Sequence, residues 1–367
     1  MKRFALLVAL VPGFAQSAID YTTFEARVVV TRDQIRSFTG QSTASLQTLA
    51  VGADGKLYIY SRTGAADSNA KLLSVDVSGA SPAFTTLATE ADILPFMDSV
   101  GPHVFNLNVD DAGIVYLQEY VLTGQIDDIV RIVPGVTPTV TNVRNINGIA
   151  GVLLNRAGDK LYVTQVDNYL APTNNFVSVP VTGGGDTIVA SDFGIRSVAG
   201  GSQAGLSCAP AETSAGNFLV WDEASFGGSD SLLQITPGGT VTVVRNAANW
   251  NSGVQGGVLA MGIDDTDTLF AWDQNPSSGG IQLHVIPNAG AGTPILHSRT
   301  SINDALTLSV GSFYSYTMHT FGNGMAVHST PTQTIVYLAD INRGDIVALT
   351  FSESAVASAT NGWAEYE

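Results

Sequence analysis

Six times along the chain, an apolar run, a short polar turn and a second run ending in aromatic or apolar residues recur. The copies are TLAVGADGKLYIYSR from Thr48, FNLNVDDAGIVYLQEY from Phe105, GVLLNRAGDKLYVTQVDN from Gly151, LSCAPAETSAGNFLVWDE from Leu206, LAMGIDDTDTLFAWDQN from Leu259 and GMAVHSTPTQTIVYLADIN from Gly324. A strand-turn-strand unit repeated every few tens of residues cannot bury its apolar faces alone. Stacking such units around an axis does so, with one four-stranded blade per copy. The repeat therefore predicts an all-β, six-bladed propeller, and it favours one large domain over two average ones for a chain of 367 residues.

The anchors of the repeat are Leu57, Val115, Leu161, Leu219, Leu269 and Val336, each followed by a bulky residue. A polar loop and a third strand follow each anchor: Leu72 to Val77, Asp128 to Val133, Phe176 to Val181, Ser231 to Thr236, Gly280 to Ile286 and Asp345 to Phe351. In the first five copies a Gly or Pro turn then leads to a fourth strand, Gly supplying the positive φ of tight turns. The sixth copy has no obvious fourth strand. The β-branched run from Phe24 to Thr31 has no sequence neighbour to pair with, so it is expected to complete the last blade and close the ring. The tail after Ser352 competes for that place.

Met1-Lys2-Arg3, an apolar run from Phe4 to Phe14 and the small residues after it have the three-part pattern of a secretory signal peptide. Residues 1–17 are read as that signal, 18–353 as the propeller and 354–367 as a tail, in a secreted or periplasmic protein. The single cysteine, Cys208, cannot form an internal disulfide and reads as an apolar core residue. The chain's formal charge of −16 goes to about −18 without Lys2 and Arg3. Scattered basic residues on so acidic a chain exclude nucleic acid and an anionic membrane surface as partners. No second long apolar run calls for membrane insertion, and a monomer is expected.

Asp54-Gly55-Lys56-Leu57-Tyr58, Asp110-Asp111-Ala112-Gly113-Ile114-Val115-Tyr116 and Gly158-Asp159-Lys160-Leu161-Tyr162 resemble the turn-and-strand motif of NHL-repeat and gluconolactonase-like propellers. The resemblance extends over nearly the whole chain after the signal and implies the six-bladed fold. It also implies, as one alternative, a divalent-metal-dependent hydrolase of lactonase type with its site at the central channel. That family's metal ligands find no residue-by-residue match here.

In a meander of this kind the first-to-second and third-to-fourth turns lie on one face of the disc. The second-to-third loops and the interblade links lie on the other. The turns are short throughout, whereas the links include Thr89 to Val104, Asp192 to Gly205, Ala247 to Gly257 and Arg299 to Asn323. Function is therefore expected on the link face. Second strands reach that face at Glu119, Asp167, Asn168, Asp222, Glu223, Asp273, Asn275, Asp340 and Asn342. Oxygen ligands of these types suit Ca²⁺, with Asp167, Asp222, Glu223, Asp273 and Asp340 as the metal candidates. The alternative is a solvated acidic rim.

Trp221 and Trp272 sit beside Asp222 and Asp273 and are expected to pack between blades, while Trp250, in a link, is the candidate for stacking on a sugar. None of the five histidines has a zinc-ligand spacing. His103 and His319, in links, are the candidates for acid–base or ligand-contacting roles. Gly200-Gly201-Ser202-Gln203-Ala204 lacks the last glycine of a nucleophile elbow, and Asp264-Asp265-Thr266-Asp267 lacks the glycine and glutamate of an EF-hand loop. With no catalytic motif, the leading reading is a propeller that binds a protein, glycan or small molecule on its link face.

Overall fold

The computed structural model describes residues 19–42, 45–62, 69–97, 103–120, 127–146, 148–166, 174–202, 204–223, 230–246, 257–275, 280–306, 324–340 and 344–353. Among these, the strands form six antiparallel sheets of four. The first blade comprises β2 (Ser45–Val51), β3 (Leu57–Arg62), β4 (Lys71–Asp76) and β5 (Ala83–Thr89). The second is β6 (His103–Val109), β7 (Val115–Tyr120), β8 (Asp127–Val133) and β9 (Thr139–Ile146). The third is β10 (Ile149–Leu154), β11 (Lys160–Gln165), β12 (Phe176–Pro180) and β13 (Thr187–Ala190), and the fourth β14 (Ala211–Glu212), β15 (Phe218–Asp222), β16 (Ser231–Ile235) and β17 (Val241–Asn246). The fifth is β18 (Val258–Ile263), β19 (Leu269–Asn275), β20 (Gly280–Ile286) and β21 (Ile295–Ser298).

The sixth blade holds β22 (Met325–Thr330), β23 (Gln333–Asp340) and β24 (Asp345–Ser352), and its outermost strand is β1 (Glu25–Val30) from the other end of the chain. β1 runs antiparallel to β24, with Glu25 opposite Thr350 and Val28 opposite Val347. The N-terminal strand thus closes the ring, as its unpaired β-branched run anticipates. Ahead of it, residues 19–24 lie against the seam between blades 5 and 6. Ile19 bridges to Glu353, and the Tyr21 ring packs 5.9 Å from Phe270 and 5.7 Å from Phe351.

Each of the six seams holds one apolar cluster, because alternate residues of a strand face opposite neighbours. The alternation corrects the repeat register in blade 4. Leu269 and Ala271 face blade 4 while Phe270 and Trp272 face blade 6; Phe218 and Val220 face blade 3 while Leu219 and Trp221 face blade 5. Phe218, not Leu219, is therefore the counterpart of Leu269. The first strand of that blade is only Ala211–Glu212, so the run Leu206 to Glu212 does not provide a regular strand from which to count. The two tryptophans do correspond, and both fill seams.

Near the axis, β10 comes so close to blade 4 that a Cβ on Gly151 would lie 2.2 Å from the Ala209 amide nitrogen, which only glycine permits. Cys208 is buried in the seam between blades 4 and 5, and burial pushes its thiol pKa up, in keeping with an inert core residue.

Among the described residues, four interblade links contain helices: α1 (Arg32–Thr39), α2 (Glu90–Ile93), α3 (Asp192–Ala199) and α4 (Arg299–Ala305). Each follows a Ser or Thr at the N-cap: Thr31, Thr89, Ser191 and Ser298. Four residues beyond each cap stands an isoleucine, Ile35, Ile93, Ile195 or Ile302, with 0% exposure. Each isoleucine plugs a different seam. Cap and plug make a second repeat, Ser/Thr-x-x-x-Ile, which is present in the sequence but hidden by the stronger strand pattern.

Candidate functional site

The innermost strands surround the axis, and toward the face of the tight turns they leave a cavity of about 570 Å³. All six blades contribute to it. Half-buried Val109, Leu153, Ile263 and Val327 give it apolar walls, one from each of four blades. Its ionisable lining is Asp111, Arg156, Glu212, Asp265 and His328. Arg156 of blade 3 reaches two other blades: its Nη1 lies 3.4 Å from Asp265 Oδ1, and its backbone N–H donates to Glu212 Oε2 at 2.6 Å. The Asp265 N–H donates to Ser329 Oγ of blade 6 at 3.2 Å. Deeper, Asn108 joins β6 to β10, its Nδ2 donating to the Val152 carbonyl and its Oδ1 accepting from the Leu154 N–H, both at 3.0 Å.

At the link face, the alternation that sets the seams also brings one position of every second strand against the preceding blade. Ser61, Glu119, Gln165, Asp222, Asp273 and Asp340 occupy it. The side chains of Glu119, Asp222, Asp273 and Asp340 are buried rather than forming a solvated rim. Asp222 Oδ1 accepts from the Gly205 N–H. Burial nevertheless pushes its carboxyl up to about 6, and the nearby charges of Asp230, Asp192 and Glu223 push in the same direction. Asp273 is raised too, chiefly by burial and against its contact with His284, whose Nε2 lies 3.4 Å from Asp273 Oδ2.

Other acids at this end are anchors. Asp127 Oδ2 accepts from the Ile149 N–H at 2.7 Å, joining blades 2 and 3, and Asp192 Oδ1 accepts from the Ala204 N–H at 2.8 Å. Glu223 is half-buried, its carboxylate beside Gly257 at the entry to blade 5. Among the described residues, no three His, Cys, Asp or Glu side chains are grouped so as to hold a metal ion.

Asp167, Asn168, Trp250, His319 and Asn342 lie outside the described residues. Asn275 ends β19, and its side chain lies outside the description. His103 is the first residue of inner strand β6 rather than part of the link before it. Its backbone pairs with Tyr120 across the ladder, which the long polar approach to the strand conceals in the sequence.

Three aromatic residues escape the sequence reading. Phe38 in α1, Phe96 in the short turn of 3₁₀ helix after α2, and Phe193 in α3 are 43%, 36% and 69% exposed, on three separate links. Phe38 stacks on Phe84 with ring centroids 5.2 Å apart, and the Arg196 guanidinium lies 5.4 Å from the Phe193 ring centroid. Val198 in α3 and Ile188 in β13 are exposed as well. For Phe38 and Phe193 the N-capped helix that carries each is the signal that finds them.

No protein-family model and no curated protein matches the chain. Among solved structures, it is similar to the PQQ-bound form of aldose sugar dehydrogenase from Streptomyces coelicolor. The TM-score is 0.53 at 13% identity, over 91% of this chain and 99% of that one. TolB from Acinetobacter baumannii gives 0.46 at 12% identity, over 88% of this chain and 68% of that one. The first of these shows a shared propeller fold. Fold alone does not carry an activity. Among the described residues no helix is long and apolar enough to cross a membrane.

Proposed function

We propose that the protein is a binding propeller of an extracytoplasmic compartment that engages a protein, glycan or small-molecule partner through its link face. The observation that carries this reading is the exposure of Phe38, Phe96 and Phe193 on three of the interblade links. A phenylalanine left in water forgoes the burial that most core aromatics gain, and aromatic side chains are enriched where partners dock. The tight turns of the opposite face offer no comparable aromatic surface among the described residues. The leader-like N-terminus supports export.

The test is binding to a glycan array, and to surface and secreted proteins of the producing cell captured by cross-linking, with wild type beside a Phe38→Ser, Phe96→Ser, Phe193→Ser triple variant. The expected result is a partner whose affinity falls at least tenfold in the triple variant while the fold is kept. A partner bound equally well by both proteins overturns the reading. N-terminal sequencing of the exported protein checks removal of residues 1–17.

A second reading, a divalent-metal-dependent hydrolase of lactonase type, is favoured by one observation: Asp273 Oδ1 is buried without a hydrogen-bond partner. Calcium at millimolar concentration, compared with chelator at constant ionic strength, should then raise the Tm, and Asp273→Asn should reduce the gain. An equal shift with sodium removes this reading. PQQ, the cofactor named for the similar dehydrogenase, is a tricarboxylate. It does not suit the axial cavity, where three carboxylates outnumber one guanidinium.

A further inference from the structure

The cavity on the axis opens at the face away from the links, so the proposed link-face partner does not account for it. Its volume, about 570 Å³, falls within the range of small-molecule sites. The aliphatic walls stand below a rim whose charges come from different blades: Asp111 from the second, Arg156 from the third, Glu212 from the fourth and Asp265 from the fifth. Three carboxylates against one guanidinium leave an excess of acidic groups at the rim, and a concave, low-dielectric mouth concentrates their field. A ligand anion is repelled there. The carboxylates are not grouped closely enough for a metal ion, which would need them on one centre.

The chain itself shows what the rim accepts. Arg156 extends from blade 3 to blade 5 and places its guanidinium by Asp265 at 3.4 Å, a loose contact between exposed side chains. Such a pair is worth little and is readily exchanged. An incoming cation with an apolar body meets the same carboxylate and, in addition, the walls that the Arg156 head group does not fill.

We propose that the axial cavity at the turn face binds a small amphiphilic organic cation, its ammonium or guanidinium drawn to the rim by the combined field of Asp111, Glu212 and Asp265 and its aliphatic body along the channel wall. Arg156 acts as an internal competitor for the head group.

The test is isothermal titration calorimetry of the exported full chain with butyl-, hexyl- and octylammonium, and with octanoate as the anionic control, at one ionic strength. Affinity should rise about fourfold per added methylene until the cavity is filled, and octanoate should not bind. Asp265→Asn combined with Asp111→Asn should weaken octylammonium at least tenfold. Arg156→Ala should tighten it severalfold, whereas a merely structural Arg156 would leave it unchanged or weaken it. Ala53→Trp, at the exposed rim, should block all binding with the Tm preserved. Octanoate binding as well as octylammonium, no binding by either, or octylammonium binding unchanged by Ala53→Trp overturns the proposal. The Phe38, Phe96, Phe193 triple variant should bind octylammonium normally, so this site and the link-face reading fail separately.

Discussion

The seam between blades 5 and 6 and the seam between blades 3 and 4 come from the same repeat, yet they are assembled from different parts of the chain. In the 3/4 seam, Tyr162, Phe176 and Phe218 cluster, with ring centroids 3.9 to 5.7 Å apart, and Ile195 from the intervening link completes the packing. All of this comes from neighbouring repeats. In the 5/6 seam, Phe270 and Phe351 meet Tyr21 and Phe24 from the far end of the chain, and the Tyr21 hydroxyl donates to the buried Asp264 carboxylate. A local seam forms at small cost in loop entropy. The closing seam must bring the ends together before any contact rewards it.

The two seams also differ at their polar groups. The 3/4 seam buries Asp222, whose carboxyl is held up at about 6. The 5/6 seam buries His297, whose Nε2–H donates to the Tyr21 carbonyl at 2.9 Å and whose pKa is pushed down, chiefly by burial. The first favours a protonated, neutral acid and the second an unprotonated, neutral base. Mild acid should therefore relieve one seam and load the other.

Deletion of residues 20–31, which removes β1 and the Tyr21 and Phe24 rings together, should separate the two seams most. It should abolish cooperative unfolding or lower the Tm by more than 15 °C, on the order of 10 kcal/mol for a domain this size. Deletion of residues 354–367 should lower it far less. Differential scanning calorimetry checks both, and the reverse order would show that the closing seam is not where the ring is held.

Next in size, Ile195→Ala and Ile302→Ala should each cost about 3 kcal/mol in denaturant unfolding, as a cavity is left in a filled seam. Combined with Tyr21→Ala, which acts in the 5/6 seam, Ile302→Ala should be non-additive and Ile195→Ala additive. Additivity in both pairs would mean that the strap and the α4 plug do not share one packing unit.

Asp222→Asn should stabilise the protein by on the order of 2 kcal/mol at pH 7.5, since the amide oxygen still accepts from Gly205 and the buried charge is gone. The sign follows from linkage. With its folded pKa raised from 3.8 to about 6, Asp222 binds more protons folded than unfolded between those values, so its penalty grows as pH rises through that window. The gain from the substitution should shrink as pH falls below about 6 and be small by pH 4. A gain that is the same at pH 4 and pH 7.5 would remove the buried-charge explanation.

The smallest effect belongs to His297. Its folded pKa lies below 6.5, so the unfolded chain binds the extra proton first and stability falls as pH drops below that value. His297→Gln, which keeps a donor for the Tyr21 carbonyl, should remove up to about 1 kcal/mol of the loss between pH 7 and pH 5. Chemical denaturation at both pH values reads it.

Everything legible in the chain alone is periodic. The six strand pairs, the third strands to within a residue or two, and an orphan β-branched run suited to closing the ring all follow from hydrophobic pattern and turn chemistry, which act over a few residues. Tertiary structure decided the rest. The register of blade 4 depended on which neighbour Phe218 and Leu219 face, because the two-residue strand Ala211–Glu212 leaves no pattern to count from. Asp222 and Asp273 read equally well as surface charges, and only the approach of the preceding blade takes them out of water. Asp111, Arg156 and Asp265 sit in ordinary hairpin turns and Glu212 ends the short strand before one, in four separate repeats scattered over 155 positions of sequence. Closure of the ring draws those turns to one axis, and convergence of that kind depends on distances across the fold, which local pattern does not encode.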